Sequence, residues 1–157
     1  MTRRVVITGL GVISPVGCGV EKFWNSLKEG QNGIDFITHF DISEYKAKLA
    51  AEVKDFEVEK YMEKKKAKRL DMYSQFAIAS TKEAIEDSGL DLDNIDRERV
   101  GVIFGTGVGG IGTAKQQVET LAFKGPRRIS PFAVPMLICN MAAGNIAIEF
   151  GLKGNCI

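Results

Sequence analysis

The chain has 157 residues, 45% of them hydrophobic and 26% charged, a composition that fits one globular domain and excludes disordered and fibrous classes. The 21 basic side chains oppose 20 acidic ones, a net charge of +1, so any attraction to nucleic acid or to a membrane surface has to come from a local patch. Three cysteines, Cys18, Cys139 and Cys156, form no CxxC pair, and an odd count without metal-ligand spacing speaks against a disulfide framework or a zinc site and fits a reducing cytoplasm.

Residues 5–8, Val-Val-Ile-Thr, are too short for a signal-peptide core, and no stretch reaches the roughly 18 uninterrupted apolar residues of a membrane span, so the sequence predicts a soluble protein. Residues 3–11 form a β-branched run ending in Thr8, Gly9, Leu10 and Gly11, which predicts a buried strand entering a tight turn. Val20, Phe23, Trp24 and Leu27 fall at helical spacing, and Gly30 follows where a left-handed cap is expected, so residues 20–28 read as an amphipathic helix. Residues 31–54 read as irregular, with 49–53 the one run of strand character.

Over residues 71–88, Met72, Phe76 and Ala79, with Ala77 and Ala84 on an adjoining face, oppose Gln75, Lys82, Glu83 and Glu86. That pattern predicts a helix packed through small residues and ended by Gly89. Residues 100–104 are an apolar run of strand length between a charged segment and a glycine cluster at 105–112, and read as a central strand. A helix is expected over 111–123, then an ordered, turn-rich loop marked by Gly125, Pro126, Pro131 and Pro135. Residues 136–150 are apolar almost all round, save Asn140, Asn145 and Glu149, and predict one helix inside a protein. Alternating strands and helices imply an α/β fold with a largely parallel or mixed sheet. Residues 151–157 look like a turn and the first residues of another strand, so the domain is expected to continue.

Gly105, Gly107 and Gly110 satisfy G-x-G-x-x-G, as do Gly107, Gly109 and Gly112, between a strand and a helix. A dinucleotide site also requires an acidic side chain at the tip of a second strand about 20 residues on, and the basic, proline-rich segment at 124–132 does not supply one. The glycines therefore read as a sharp, tightly packed turn. The single histidine, His39, reads as a loop residue without a role. Residues 57–69 carry Lys60, Lys64, Lys65, Lys66, Lys68 and Arg69 against Glu57, Glu59 and Glu63. On a helix, Lys64 with Lys68 and Lys65 with Arg69 would be like-charge pairs costing about 0.2–0.5 kcal/mol each. A solvated face is the usual fate of such a run, and an acidic partner is the alternative. Nucleic acid is the poorer partner, because the stripe lacks an alternating aromatic pattern to stack on bases.

Several segments together resemble the β-ketoacyl-acyl-carrier-protein synthases, closest to the elongating, synthase II branch. They are Arg3-Arg-Val-Val-Ile-Thr-Gly-Leu-Gly-Val-Ile-Ser-Pro-Val-Gly17, Gly105-Thr-Gly-Val-Gly-Gly110, Pro126-Arg-Arg-Ile-Ser-Pro-Phe132 with Val134 and Pro135, and Asn140-Met-Ala-Ala-Gly144. Asp71 before the long helix and Gly151-Leu-Lys-Gly154 extend the likeness to the whole chain. The resemblance implies the N-terminal half of a thiolase-like αβαβα layered fold, truncated before the catalytic cysteine, and a homodimer in the complete enzyme.

It further implies a decarboxylative condensation of malonyl-carrier with a cysteine-bound acyl chain, delivered on the phosphopantetheine arm of acyl carrier protein, with no other cofactor. The nucleophilic Cys, two His and a Lys of the family are expected beyond Ile157. Cys156 does not match the nucleophile, and Cys18 and Cys139 are expected as buried packing. By resemblance Val108 and Ala133 line the acyl pocket, and Lys65, Lys68, Arg69, Arg127 and Arg128 are carrier-docking positions. The competing implication is a nucleophile-less partner subunit of the chain-length-factor type. A free-standing binding module is disfavoured, because a lone half would leave the apolar helix expected at 136–150 uncovered.

Overall fold

The computed structural model describes residues 3–157. Its organising element is α3 (Met72–Ser88), whose ends are written locally: the Asp71 side chain accepts from the Tyr73 N–H, and Gly89 closes the helix at φ 64°. Ala77 and Ile78 of α3 pack against Ala142, Ala143 and Ile146 of α6 (Met141–Phe150), all closed to solvent. Small side chains at this contact bring the helix axes close. Met62, Ala67, Leu70 and Val102 complete the core, with Ala67 lying on the single turn α2 (Lys64–Ala67).

Ahead of α3 come a hairpin of β1 (Ile13–Ser14) and β2 (Gly17–Cys18), then α1 (Val20–Lys28). Gly30 adopts φ 68° just after that helix, as its sequence predicts. Residues 31–54, read from sequence as irregular, contain a second antiparallel hairpin: β3 (Ile34–Phe36) pairs with β4 (Leu49–Ala51), Ile34 opposite Ala51 and Phe36 opposite Leu49. Strands of three residues are too short to display a period.

The segment 3–11 departs from the expected buried strand. It lies extended across α3, with Gly9 on the Ala84 carbonyl and Gly11 on the Ser80 carbonyl, where any side chain would collide. Leu10 N–H donates to Asp87 (2.8 Å) and Val12 N–H to Glu83 (3.1 Å), so carboxylates of α3 take donors that a neighbouring strand would otherwise pair. Among the described residues no strand pairs with this segment, and Val5 and Ile7 are 89% and 85% exposed.

Residues 100–104 have a neighbour on one side. Val102 N–H donates to Asn155 O (2.7 Å), Ile157 N–H to Val102 O (2.9 Å) and Phe104 N–H to Ile157 O (3.0 Å), the offset pattern of a parallel pair. Ile103 nevertheless remains 84% exposed.

The long helix expected over 136–150 is two helices, α5 (Ala133–Leu137) and α6, which follow α4 (Ile111–Lys124) and the 3₁₀ turn Pro126–Arg128. The break has a specific cause. A continuous helix would give the Ile138 carbonyl to residue 142, but the Tyr73 hydroxyl (2.6 Å) and the Met141 N–H (3.2 Å) take it instead. Nor is α6 enclosed all round: Ala142, Ala143 and Ile146 are buried, while Ile148 faces out at 75% exposure.

Candidate functional site

In the glycine-rich turn between residue 104 and α4, the close approach of backbone to backbone is confined to the α4 end. Gly109 has φ 78°, and a side chain at Gly110 would strike the Met136 carbonyl. Gly110 N–H donates to Leu137 O at 2.9 Å, and Gly109 N–H to Thr106 Oγ1 at 3.2 Å. Gly105 and Gly107 face open space. Val108 thus projects, exposed, from a loop seated on α5, the helix that Ala133 begins half-buried. A cavity of about 280 Å³ is lined by Gly11, Val12, Phe76, Ala77, Ser80 and Phe104, which brings the first segment and the end of residues 100–104 to one stretch of α3.

Asp71 holds this arrangement together. One carboxylate oxygen caps α3 through Tyr73 N–H (3.2 Å), and the other accepts from Thr113 Oγ1 (2.6 Å) and Thr113 N–H (3.1 Å) in the first turn of α4. That geometry also explains why the glycine run is no dinucleotide cradle. The partial positive charge at a helix N-terminus attracts an anion, and at α4 a carboxylate of this chain already sits there.

The basic stripe is not one helix. The 3₁₀ turn Val58–Lys60 and α2 are separated by residues 61–63, and Lys68 is already the C-cap, so the like-charge pairs expected along a continuous helix are only partly realised. Its cations divide into two sets. Lys60 pairs with Glu57 (2.8 Å), Lys64 with Glu59 and Lys66 with Glu149. Partial burial pushes the Lys66 ammonium below its ordinary range, with Glu63 opposing. Lys65, Lys68 and Arg69 are exposed and have no carboxylate partner among the described residues, and the same holds for Arg127 and Arg128 in their 3₁₀ turn. The Arg69 guanidinium lies 5.0 Å over the Phe132 ring, joining the end of α2 to the loop that carries Arg127 and Arg128.

A polar cleft of about 510 Å³ borders the start of the basic stripe, lined among others by Cys18, Lys22, Lys54, Glu57 and Tyr61. Lys22 pairs there with Asp55 (3.1 Å), and Tyr61 donates to Glu83 (2.8 Å). Burial, seconded by that hydrogen bond, raises the phenol well above its ordinary range. Cys18 is half-buried with its thiol toward Asp55 O (3.8 Å), and burial raises it as well, keeping it a neutral thiol. Cys139 is exposed, which corrects the expectation of buried packing, because it follows the turn that separates α5 from α6. Cys156 is exposed beside Val102, and His39 is exposed 3.7 Å from Glu52. Among the described residues no three His, Cys, Asp or Glu side chains gather as metal ligands, and no helix is long and apolar enough to cross a membrane.

Residues 2–157 match the family described as beta-ketoacyl synthase, N-terminal domain. The chain belongs to that family. It is 44% identical over 156 residues to a 3-oxoacyl-acyl-carrier-protein synthase 2 of Synechocystis, covering 98% of this chain and 38% of that protein. A synthase 2 of Vibrio harveyi is 47% identical over 152 residues, covering 97% and 37%. The chain therefore spans little more than a third of the length of these relatives.

Among solved structures, the ishigamide ketosynthase/chain length factor superposes with a TM-score of 0.88 at 29% identity, over 99% of this chain and 39% of that one. A type II polyketide ketosynthase in complex with its acyl-carrier protein superposes at 0.79 with 23% identity, over 97% and 40%, a likeness of fold. The architecture of this beta-ketoacyl synthase segment is the N-terminal half of the thiolase-like fold. No local pattern in the sequence marks the bonds made by Thr113 and Tyr73 or the contact between Phe132 and Arg69, whose partners lie in distant segments. The one signal is Asp71, because a carboxylate at a helix start has one oxygen for its own cap and one for a distant donor.

Proposed function

We propose that the chain is the N-terminal part of a 3-oxoacyl-acyl-carrier-protein synthase of fatty-acid elongation, and that it supplies scaffold, acyl pocket and carrier-docking surface. The observation that carries this reading is 44–47% identity, along nearly the whole chain, to proteins that bear that name. The nucleophilic cysteine, with two histidines and a lysine, belongs to the part of the enzyme beyond Ile157. There a thiolate accepts the acyl group from one carrier, and the enolate left when malonyl-carrier loses carbon dioxide attacks that thioester.

Val108 and Ala133 line the acyl channel, their loops held together at Gly110 and Leu137. Lys65, Lys68, Arg69, Arg127 and Arg128 receive the acidic acyl carrier protein and lead its phosphopantetheine arm inward. Their support is their state: exposed and without carboxylate partners, while neighbouring lysines are paired. The complete enzyme works as a homodimer in the cytoplasm, with neither nucleic acid nor membrane as partner.

A second reading is favoured by the 0.88 superposition on a ketosynthase/chain length factor: a partner subunit of the same fold without a nucleophile. One experiment separates the two. The complete protein is incubated with radiolabelled acyl-carrier and then with malonyl-carrier, and the elongating reading expects a thioester-labelled cysteine and a 3-oxoacyl product. An unlabelled protein that raises product length only when a second ketosynthase is added supports the partner reading. The 157-residue chain alone is expected to form no 3-oxoacyl product, and measurable product from it would overturn the assignment of the catalytic residues.

A further inference from the structure

Asp71 and Tyr73, at the start of α3, bond in opposite directions to two loops that are not neighbours in sequence. Asp71 accepts from Thr113 Oγ1 and N–H and so fixes the first turn of α4, immediately after the glycine-rich turn. Tyr73 donates to Ile138 O and so fixes the end of α5. The two loops meet where Gly110 N–H donates to Leu137 O, with the Gly110 α-carbon against Met136 O. A side chain added at Gly105 or Gly107, by contrast, would meet nothing, so the arm that bears Val108 is positioned by its two ends, Phe104 N–H on Ile157 O and Gly110 N–H on Leu137 O. Thr113 is buried although polar, and its hydroxyl has the Asp71 carboxylate as partner.

From this geometry we infer that Asp71 is a positioning residue which, through Thr113 and in concert with Tyr73, couples the Val108 loop to the Ala133 helix and thereby sets which acyl lengths the pocket accepts. The inference rests on the acyl-pocket reading of Val108 and Ala133. Its physical content is that two pocket walls hang from one helix end. If the bond to α4 loosens, the walls part in register and discrimination between chains falls, whereas the α3 cap survives.

The substitutions are chosen to separate positioning from folding. Asp71→Asn keeps a side chain that caps helices well but offers an N–H₂ where Thr113 requires an acceptor. Thr113→Val removes the hydroxyl at nearly constant shape, and Thr113→Ser restores it. In the complete synthase, Asp71→Asn and Thr113→Val are each expected to compress the kcat/KM ratio between the longest and shortest accepted acyl-carrier by about ten-fold or more, the scale of a lost hydrogen bond to a charge. The Thr113→Ser variant should keep the ratio. A ratio unchanged within about two-fold alongside a lowered Tm would show a merely structural bond and overturn the inference.

Amide exchange on the complete synthase gives a readout that does not depend on activity. Thr113→Val should speed exchange at Gly110, whose N–H bonds Leu137 O, and at the amides of Ala133–Leu137 together. Faster exchange in α4 with α5 unaffected overturns the coupling. A wild-type synthase that elongates no acyl-carrier would instead remove the functional reading, and the exchange result would still decide whether the loops are coupled.

Discussion

Reversing Lys65, Lys68 and Arg69 to Glu tests the docking surface, because these are the cations of the stripe that no carboxylate neutralises among the described residues. Each reversal changes the local charge by two units. An exposed ionic contact contributes about 0.2–1 kcal/mol, so taking about 0.3 kcal/mol per unit gives about 2 kcal/mol for three sites. That corresponds to a rise of roughly 20- to 30-fold in KM for the acyl-carrier at low ionic strength, since about 1.4 kcal/mol is a factor of ten. At 1 M salt the screening length is about 3 Å, and the rise should shrink to about two-fold. Arg69 also stacks on Phe132 at 5.0 Å, so the triple variant disturbs packing as well as charge. The Lys65→Glu/Lys68→Glu double variant leaves that contact intact and should retain two-thirds of the effect in free energy, roughly eight-fold in KM. Steady-state kinetics with carrier-bound and with short pantetheine-bound acyl substrates make the comparison, and only the carrier-bound substrate should be affected. An unchanged KM at low salt, or a change that persists at 1 M, would refute the electrostatic argument.

Three further outcomes follow from the packing and the titrating groups. Gly110→Ala should destabilise the chain by about 1–3 kcal/mol, because the new methyl meets the Met136 carbonyl and two backbones have to separate; a urea midpoint equal to wild type would show that the loop yields freely. Ile146→Ala, at a site 2% exposed between α3 and α6, should cost about 2–5 kcal/mol in the same titration, and a cost near zero would mean that the core collapses onto the gap. Bonding from the Lys54 side chain holds the Asp35 carboxyl below its ordinary range, and bonding from the Thr38 side chain does the same for Glu52. A carboxylate depressed by folding stabilises the folded state above its unfolded pKa, and that stability is lost as pH falls through the folded value. The β3–β4 hairpin should therefore loosen on acidification below the ordinary carboxylate range, seen as loss of dispersion at the Thr38 and Phe36 amides, and Glu52→Gln should abolish the Thr38 part; a hairpin that tightens in acid would contradict both shifts.

What the sequence disclosed and what it withheld divide by the range of the interactions. The limits of α3 were legible because Asp71 and Gly89 act within one turn of the helix they bound. The break at Ile138 was hidden, because the group that takes its carbonyl is Tyr73, 65 positions away; the one local sign of it is Asn140, which stands at the N-cap of α6. The strand character of residues 3–11 was legible, but a strand exists only when paired, and here Asp87 takes the Leu10 donor and Glu83 that of Val12 just beyond. The same division governs the site. Val108, Ala133 and the five cations proposed for docking are legible only through the family resemblance, since composition alone favours a solvated lysine face. The structure adds a distinction no count of charges contains: Glu57, Glu59 and Glu149 pair with Lys60, Lys64 and Lys66 and leave Lys65, Lys68 and Arg69 exposed. Exposed cations without intramolecular partners lose little by meeting an acidic partner, because no existing ion pair has to break first. A docking surface selected in this way should tolerate exchange of Lys65 or Lys68 for Arg and fail on exchange for Glu, whereas at Lys66 the partner to preserve is Glu149 of this same chain.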